Sequence, residues 1–441
     1  MPPTQTSCPA ISPGNPFGTR PAVIRPLILA SHPSLIYIYN ETRPQTSGHL
    51  MRYDVATGQR AVIATSGVRI RQAQLSADGA WIMLLSVPDP RRDPLHVAML
   101  QLVRLDGQGL QTLYCFPRLP YTPDGTFSAF EGRGVISYDS YPPLRFVWSP
   151  DERQVLLSTD LQGNISLITL LDIKTGNLRP LVLRAGSYLS NPSIFCSIAI
   201  PLTWLDDSHA YIVTESRLSC GSPPLPMQLY LLNVAENGSP GNPAWTPILS
   251  ENVRYSDVAL DIAPDGRRLL ASSCDWSGPP RSSILEEPAY GGTQTLIYQL
   301  ASMHSLQSCI EDIRVLTASE VLVLLRDGNP YLQCGGPPSP YQASFRLALL
   351  TLGNDGRRQL TPLTDLAQGN NYDLNPAVPF VWSVLSRDGK LYTMTANREH
   401  PLCQRATTAV YYGRLGGGPP VLVAAAGNGE VASVGWTWSL R

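Results

Sequence analysis

Short apolar runs separated by tight turns recur along the whole chain. The clearest example is the stretch from Phe146 to Asp160. Residues 146–148 and 155–157 are apolar and suit a half-buried pleated surface. Residues 149–152, Ser-Pro-Asp-Glu, have the chemistry of a type I turn, in which proline presets φ and Ser or Asp side chains satisfy turn N–H groups. The pattern predicts a β-hairpin.

This hairpin alternates along the chain with a second pair of β-rich runs. The repeats start at Leu75, Trp148, Trp204, Ile262, Leu316, Leu385 and Thr437, at successive separations of 52 to 73 residues. A repeat near 50 residues with four strands per unit is typical of a β-propeller blade, whereas a β-sandwich does not repeat its turns in step. We therefore predict an all-β fold, a seven-bladed β-propeller of four-stranded antiparallel blades.

The blade number follows from how the two ends of the chain complement each other. Six complete units span residues 75–426. Residues 35–65 supply three strands without an innermost partner, and residues 431–440 supply one innermost strand. Joined, they form the seventh blade and leave no open sheet edge in the ring. We thus expect an extended lead-in over 1–34 and a single propeller domain over 35–441; the alternative is that the tail resembles a strand by coincidence.

Composition excludes some partners. The formal net charge is −1 and only 15% of residues are charged, so no basic surface for nucleic acid is expected. Glycine (35) and proline (41) favour turns over long helices. No apolar run reaches the roughly 18 residues of a membrane span, and the start of the chain lacks the pattern of an export signal. We expect a monomer without a membrane span in this chain.

Two turn motifs carry a family resemblance. Phe146–Asp151 and Ile262–Gly266 resemble the WSPDG-type repeats of bacterial TolB-like, WD40-like β-propellers. The Asp-x-x-Thr-Gly turns at Asp54–Gly58 and Asp172–Gly176 fit the same pattern. The resemblance covers roughly residues 35–440. It implies the propeller fold, and a protein that binds protein partners, stands beside a peptidase domain, or belongs to the bacterial surface and periplasmic proteins without an assigned role.

The connections differ between the two ends of the predicted blades. First-to-second and third-to-fourth connections share one side and are short; we call it the short-turn side. Second-to-third and blade-to-blade connections share the other side, the long-loop side, and long loops on a rigid scaffold are where binding usually occurs. We assigned to it Asn40–Gly48, Val87–Leu95, Ser216–Pro226, Cys274–Gly292, Asp327–Tyr341, Asn397–Thr407, Pro117–Leu144 and Leu363–Pro379. Drift at tolerant loop tips is the alternative explanation.

The long-loop side is rich in tyrosine and arginine, residue types enriched at protein interfaces, and Tyr and Trp also stack on sugars. We predict a protein or glycan partner. The candidate binding residues are Arg91, Arg92, Tyr121, Tyr138, Tyr141, Arg217, Trp276, Arg281, Tyr290, Tyr331, Tyr341, Arg398 and His400.

Eight cysteines lie in or beside these loops or in the lead-in, which is typical of disulfides and of an oxidising compartment. Cys196 and Cys220, and Cys309 and Cys334, hold equivalent positions in two blades, and we predict that they pair in this way. The pairing of Cys8, Cys115, Cys274 and Cys403 stays open. Zinc is disfavoured because the chain has no Cys-x-x-Cys and no His pair at ligand spacing. The cysteines favour an extracytoplasmic protein.

The motifs of catalysis are missing from the sequence. It contains no Gly-x-Ser-x-Gly, His-Glu-x-x-His or Gly-x-x-x-x-Gly-Lys motif. Of six histidines, His400 alone is placed plausibly for chemistry, and the adjacent carboxylates Asp206-Asp207 and Glu286-Glu287 are expected to be solvated. We predict a non-catalytic binding module with no cofactor and no metal. The alternatives are a lyase or hydrolase with its site in the central funnel, and the regulatory propeller of a larger membrane-anchored protein.

Overall fold

The structure is a computed structural model of the 441-residue chain. It describes residues 7–41, 47–88, 97–116, 145–160, 165–185, 197–216, 228–235, 245–247, 258–263, 265–272, 283–300, 308–327, 344–353, 356–366, 371–374, 385–399, 405–427 and 429–440. Every regular element in these ranges is a β-strand.

The strands form seven four-stranded antiparallel sheets, and the chain is a seven-bladed β-propeller. Blade 1 contains β1 (Leu29–Glu41), β2 (Ser47–Asp54), β3 (Arg60–Ser66) and β28 (Gly429–Leu440). Blade 2 contains β4 (Arg69–Leu75), β5 (Trp81–Val87), β6 (Met99–Arg104) and β7 (Gln111–Cys115), and blade 3 contains β8 (Arg145–Trp148), β9 (Gln154–Asp160), β10 (Ile165–Asp172) and β11 (Leu178–Ala185). Blade 4 contains β12 (Ser197–Trp204), β13 (His209–Ser216), β14 (Gln228–Asn233) and β15 (Trp245–Pro247).

The remaining blades follow the same plan. Blade 5 contains β16 (Val258–Ile262), β17 (Arg268–Ser272), β18 (Ser283–Glu287) and β19 (Thr295–Gln299). Blade 6 contains β20 (Ser308–Thr317), β21 (Glu320–Asp327), β22 (Ser344–Leu352) and β23 (Arg358–Asp365). Blade 7 contains β24 (Asn371–Asp373), β25 (Leu391–Glu399), β26 (Arg405–Arg414) and β27 (Val421–Ala425).

Blade 1 is built from both ends of the chain, as the sequence predicted. Its strand order is β28-β1-β2-β3. The β1–β28 ladder runs from Leu29 opposite Leu440 to Glu41 opposite Gly429. A Cβ atom on Gly429 would lie 2.2 Å from the carbonyl oxygen of Asn40, so the two strands could not approach this closely with a larger residue there. Pairing with β28 also lets β1 begin at Leu29, before the predicted residue 35.

The chain divides into two compact units. Unit 1 comprises Met1–Leu27 and Ala64–Val253, and unit 2 comprises Ile28–Ile63 and Arg254–Arg441. In unit 1, apolar side chains of blades 2 and 3, including Leu100 and Phe146, form one buried core. In unit 2, Leu35 of β1 and Trp436 of β28 pack with the side chains of blade 7.

Serine and aspartate side chains explain the repeated first-to-second turn. In the turn of blade 3, Ser149 Oγ lies 2.6 Å from Asp151 Oδ1 and accepts a hydrogen bond from the Gln154 amide at 2.9 Å. Blades 2 and 7 repeat the Ser–Asp contact between Ser76 and Asp78 and between Ser386 and Asp388. Satisfying the turn N–H groups in this way fixes the hairpin register.

Blade 3 departs from the pattern at one residue. Glu152 has φ 60°, in the left-handed region where the turns of blades 2 and 5 have Gly79 and Gly266. This conformation costs a non-glycine residue about 1 kcal/mol or more. The Glu152 carboxylate accepts a hydrogen bond from the Ala77 amide in the turn of blade 2, which offsets that cost and links the two turns.

Candidate functional site

Most of the predicted binding residues lie outside the described part of the chain. This holds for Arg91, Arg92, Tyr121, Tyr138, Tyr141, Arg217, Trp276, Arg281, Tyr331, Tyr341 and His400, and for the cysteines Cys196, Cys220 and Cys334. Their assignment to binding and to disulfides stays a prediction. The described residues nevertheless show the strand ends from which several of the long connections start.

Tyr290 does not lie on the side that the sequence assigned to it. Residues 283–287 form β18, so the predicted loop Cys274–Gly292 contains a strand and Tyr290 falls in the third-to-fourth connection, on the short-turn side of blade 5. The side chain is 63% exposed. The sequence did not predict this strand, because it contains two adjacent glutamates, Glu286 and Glu287, whose carboxylates we expect to be solvated.

Glu287 is buried, and it forms an ion pair with a residue on the neighbouring strand. Arg268 lies opposite Glu287, and its Nη2 is 3.1 Å from Glu287 Oε1. Both side chains are almost fully buried. Burial raises the pKa of Glu287, and Arg268 opposes the shift. Glu286 points away and pairs with Arg267 at 3.1 Å.

Two further predicted loops begin later or end earlier than expected. Arg398 lies within β25, opposite Ala406, so the Asn397–Thr407 connection is shorter than predicted. The predicted connection Leu363–Pro379 contains the end of β23 and all of β24. In both cases strand pairing extends into polar sequence, which local hydrophobicity does not report.

Charged residues gather where the long 328–343 connection leaves and rejoins blade 6. This group, the blade 6 root, consists of Cys309, Glu311, Arg326, Asp327, Arg346 and Asp365. Arg326, at the end of β21, pairs with Glu311 of the innermost strand β20. It also donates toward Cys309 Sγ at 3.9 Å. Cys309 is bonded in a disulfide, and its pairing with Cys334 stays a prediction.

Arg346 extends the contacts of the blade 6 root to β23, the outermost strand. It pairs with Asp327 at the end of β21, and its Nε lies 3.9 Å from Asp365 Oδ1 at the end of β23. Arg346 is half-buried and Arg326 is almost fully buried. Charge-assisted contacts of this kind therefore link all four strands of blade 6 at its long-loop end. Both ends of the 328–343 connection start from fixed backbone.

A second charged group lies among innermost strands in unit 2. Asp261 of β16 accepts hydrogen bonds from Arg314 Nη1 at 3.1 Å and from the Val315 amide at 2.6 Å, both in β20. Burial raises the pKa of Asp261, and the Arg314 charge and backbone hydrogen bonds oppose the shift. An innermost strand has one sheet neighbour only, so side chains must satisfy its free edge.

Side-chain hydrogen bonds to the free edge of an innermost strand also join blade 6 to blade 7. Asp312 Oδ2 accepts from the Leu374 amide at 3.0 Å, and Arg314 Nε donates to the Leu374 carbonyl at 3.3 Å. In unit 1, the Gln72 amide group both donates to and accepts from the backbone of Phe146 in β8. Sequence reasoning missed these residues. The available signal was a charged or amide residue inside an otherwise apolar innermost strand.

A histidine, an aspartate and a serine meet in blade 1, in an order that differs from a catalytic triad. His32 Nε2 lies 2.9 Å from Asp54 Oδ2, and Ser439 Oγ donates to the same oxygen at 2.7 Å. In a triad the histidine stands between serine and aspartate and removes the serine proton. Here the aspartate stands in the middle, so the hydroxyl is bound to a carboxylate and the group holds strands together.

The part of the chain that the structure describes contains no group of three or more His, Cys, Asp or Glu side chains that could hold a metal ion. Across the same residues, no helix is long and apolar enough to cross a membrane.

The comparisons with known proteins bear on the fold. No family model matches the chain, and no curated protein matches it. Among solved structures it is similar to TolB from Acinetobacter baumannii, at 13% identity and TM-score 0.40, over 76% of this chain and 64% of that one. TolB is thus among the structures that the chain resembles, as its motifs predicted.

Two enzymes are also among the similar structures. A prolyl endopeptidase matches at 12% identity and TM-score 0.50, over 91% of this chain and 50% of that one. An oligogalacturonate lyase in complex with manganese matches at 12% identity and TM-score 0.47, over 90% and 86% of the two chains. The chain spans less than two thirds of the TolB and endopeptidase chains. At these identities the similarity shows the propeller fold alone.

Proposed function

We propose that this chain is a non-catalytic binding module that engages a protein or glycan partner with the long-loop side of its blades, in an extracytoplasmic compartment. The observation that carries the proposal is the blade 6 root, where Glu311–Arg326 and Asp327–Arg346 ion pairs link the strands on either side of the 328–343 connection. That connection contains the candidate contact residues Tyr331 and Tyr341.

Fixed loop ends favour binding for an energetic reason. A free loop loses conformational entropy when a partner orders it, and this loss subtracts from affinity. A loop that contains Pro337 and Pro338, and whose two ends start from an ion-paired root that includes the disulfide-bonded Cys309, has fewer conformations to lose. Tyrosine side chains on such a loop supply contact area at low entropy cost.

The carboxylates of the described blade 6 root support a binding role over catalysis. Glu311 and Asp327 each pair with an arginine, so each carboxylate is engaged in a contact that holds strands of the blade together. The cysteines support the proposed extracytoplasmic compartment. Cys8 and Cys115 form a disulfide and Cys309 is bonded in another, and structural disulfides are typical of oxidising compartments.

The experiment starts from purified protein probed against a glycan array and a displayed peptide library. Each ligand retained by the wild type is then measured against Arg346→Ala, Tyr331→Ala and Tyr341→Ala. We expect at least one of these variants to lose more than about 1 kcal/mol of binding free energy, roughly fivefold in Kd.

Arg358→Ala is the matched control. Arg358 begins β23 at the opposite end of the same blade, is exposed, and donates to the carbonyls of Gly353 and Arg357. We expect its removal to leave binding unchanged. Loss of binding in Arg358→Ala but not in the long-loop variants would show that the short-turn side binds. Conversion of a bound glycan or peptide into products would contradict the non-catalytic role.

A further inference from the structure

The lead-in is docked in two halves that are held in different ways. The inner segment, residues 19–27, is bound to unit 1 by hydrogen bonds from several elements. The Arg20 amide donates to the Leu113 carbonyl of β7 at 2.8 Å, and the Ala22 amide donates to the Ile173 carbonyl after β10 at 2.6 Å. Val23 exchanges two hydrogen bonds with the side-chain amide of Gln111.

Further contacts secure the inner segment against blades 2 and 3. Thr19 Oγ1 donates to the Gly176 carbonyl at 2.5 Å, and the Trp81 indole N–H donates to the Arg25 carbonyl at 3.2 Å. Ala22 and Leu27 pack on the apolar core that blades 2 and 3 share. The Thr19–Tyr114 bridge and the Arg20–Leu113 hydrogen bond thus seat the start of the inner segment against β7, the outermost strand of blade 2.

The outer segment, residues 8–18, is organised mainly within itself. Ser12 and Asn15 exchange two backbone hydrogen bonds, and the Gly18 amide donates to the Asn15 carbonyl. The Asn15 side chain bonds to Ala10 and to Thr19. Among the residues that the structure describes, the hydrogen bonds of this segment end within it or at Thr19. Its link to blade 2 is the disulfide from Cys8 to Cys115, the last residue of β7.

Both segments carry exposed apolar side chains. Ile11 (76% exposed) and Phe17 (47%) lie in the outer segment, and Val23 (60%) and Ile24 (48%) lie in the inner one, so the two segments differ in how they are held and not in exposure. Cys8 is itself an exposed residue, and thiol–disulfide exchange requires that a thiolate reach one sulfur of the bond. Cys115 directly precedes Phe116 and the long 117–144 connection.

We propose that the Cys8–Cys115 disulfide is a redox latch: it fixes the outer segment at the long-loop end of β7, and its reduction frees residues 8–18 while the inner segment stays docked. The latch places the exposed Ile11 and Phe17 next to the long-loop end of blade 2 only in the oxidised protein.

The reaction is a thiol–disulfide exchange with a dithiol reductant. One thiolate of the reductant attacks Cys8 or Cys115 sulfur, the S–S bond breaks, and a mixed disulfide forms. The second thiol of the reductant resolves it. The reductant leaves oxidised as a disulfide, and Cys8 and Cys115 become two thiols, having received two electrons and two protons in total.

Hydrogen–deuterium exchange on the full chain, read by mass spectrometry, tests the latch. The comparison is between the oxidised wild type, the wild type with dithiothreitol, and the double variant Cys8→Ser/Cys115→Ser. We expect the Asn15 and Gly18 amides to exchange at least tenfold faster in the variant and in the reduced wild type. The Arg20 and Ala22 amides should change less than twofold.

Controls separate this latch from other cysteines and from unfolding. Dithiothreitol added to the double variant should change exchange over residues 8–27 no further. Unchanged exchange of Asn15 and Gly18 in the variant would overturn the proposal, because the outer segment would then be seated without the disulfide. Loss of protection across both segments and β7 would also overturn it, because the disulfide would then stabilise blade 2 as a whole. Alkylation of Cys8 and Cys115 in folded, reduced wild type shows that the disulfide has opened, and this test needs no variant.

Discussion

Ser439 donates a 2.7 Å hydrogen bond to the carboxylate of Asp54, and this contact ties the last strand of the chain to the turn after β2. Ser439 Oγ also lies 2.7 Å from Ser34 Oγ, and His32 lies 2.9 Å from the same carboxylate. In blades 2, 3 and 7 a covalent turn with a Ser–Asp contact joins the first two strands at this end. In blade 1 those strands come from opposite ends of the chain, and side chains take the place of the turn.

Ser439→Ala tests this side-chain closure. Ser439 is buried, and its removal leaves a carboxylate without one of its donors; hydrogen bonds to charged groups contribute about 1.5–3 kcal/mol. We expect the free energy of unfolding, measured with urea, to fall by about that amount. Ser47→Ala in the same blade is the control, because Ser47 bonds to Glu41 at an exposed site. Equal stability of the two variants would show that the contact does not close the blade.

The same carboxylate gives blade 1 a dependence on pH. Burial raises the pKa of Asp54, but hydrogen bonds from Ser439, Thr57 and His32 more than offset burial and hold the pKa well below its usual value. A lowered folded-state pKa stabilises the protein above the unfolded value of about 3.9, and this contribution is lost as pH falls through the folded pKa. We expect acid to narrow the difference in unfolding free energy between wild type and Asp54→Asn.

The control for the pH effect is Asp172→Asn. Asp172 forms the same turn, with hydrogen bonds from the Lys174 and Thr175 amides, in a motif that matches Asp54–Gly58. Both variants are compared with wild type between pH 7 and pH 3, and the Asp172→Asn result shows how much of any change comes from the turn that the two motifs share. A difference for Asp54→Asn that stays constant over this range would contradict the role of the ionised carboxylate.

Alanine substitution of two glycines in matched turns distinguishes the cost of backbone strain from the effect of disturbing the docked lead-in. Gly58 and Gly176 have φ of 71° and 75°. A Cβ on Gly58 would meet only the Tyr53 hydroxyl at 3.9 Å, whereas a Cβ on Gly176 would lie 3.1 Å from the Pro21 nitrogen. Alanine at either site pays left-handed strain of about 1–2 kcal/mol. We expect Gly176→Ala to lower the melting temperature further and to expose Arg20 and Ala22 amides to exchange; equal effects at both sites would count against the docking.

The inner-strand network predicts a large effect from one arginine. Arg314 neutralises Asp261 and bonds to Leu374, and removing one partner of a buried ion pair costs about 3–5 kcal/mol. We expect Arg314→Ala to lose this much unfolding free energy, or to fail to fold, while the exposed Arg358→Ala stays within about 0.5 kcal/mol of wild type. A loss below about 1 kcal/mol for Arg314→Ala would show that the network is dispensable.

Peptide mapping without reductant tests the disulfides. We expect bridges Cys8–Cys115, Cys196–Cys220 and Cys309–Cys334. Each of the latter two closes a loop of about 25 residues, for which the chain-entropy model gives on the order of 3 kcal/mol. A different partner for Cys309 would make the pairing wrong, and eight free thiols in native protein would remove the support for an extracytoplasmic location.

The sequence alone determined the repeat, the blade number and the blade shared by the two chain ends. These features depend on short apolar runs and on turn residues such as Ser149 and Asp151, so each repeat is encoded by its own local sequence. The sequence misplaced Tyr290 for the same reason. The third strand of blade 5 includes Glu287, whose burial depends on a partner across the sheet, and a local pattern does not contain that partner.

Only the tertiary structure decided which distant residues meet. Cys8 and Cys115 are separated by 107 residues, and Asp54 and Ser439 by 385. Asp261 and Arg314 come from the innermost strands of blades 5 and 6, and Leu374 directly follows the innermost strand of blade 7. Such pairs form because free strand edges need hydrogen-bond partners and buried charges need opposite charges. Which side chain fills each need depends on how the blades are placed in space, and short-range pattern carries no record of that placement.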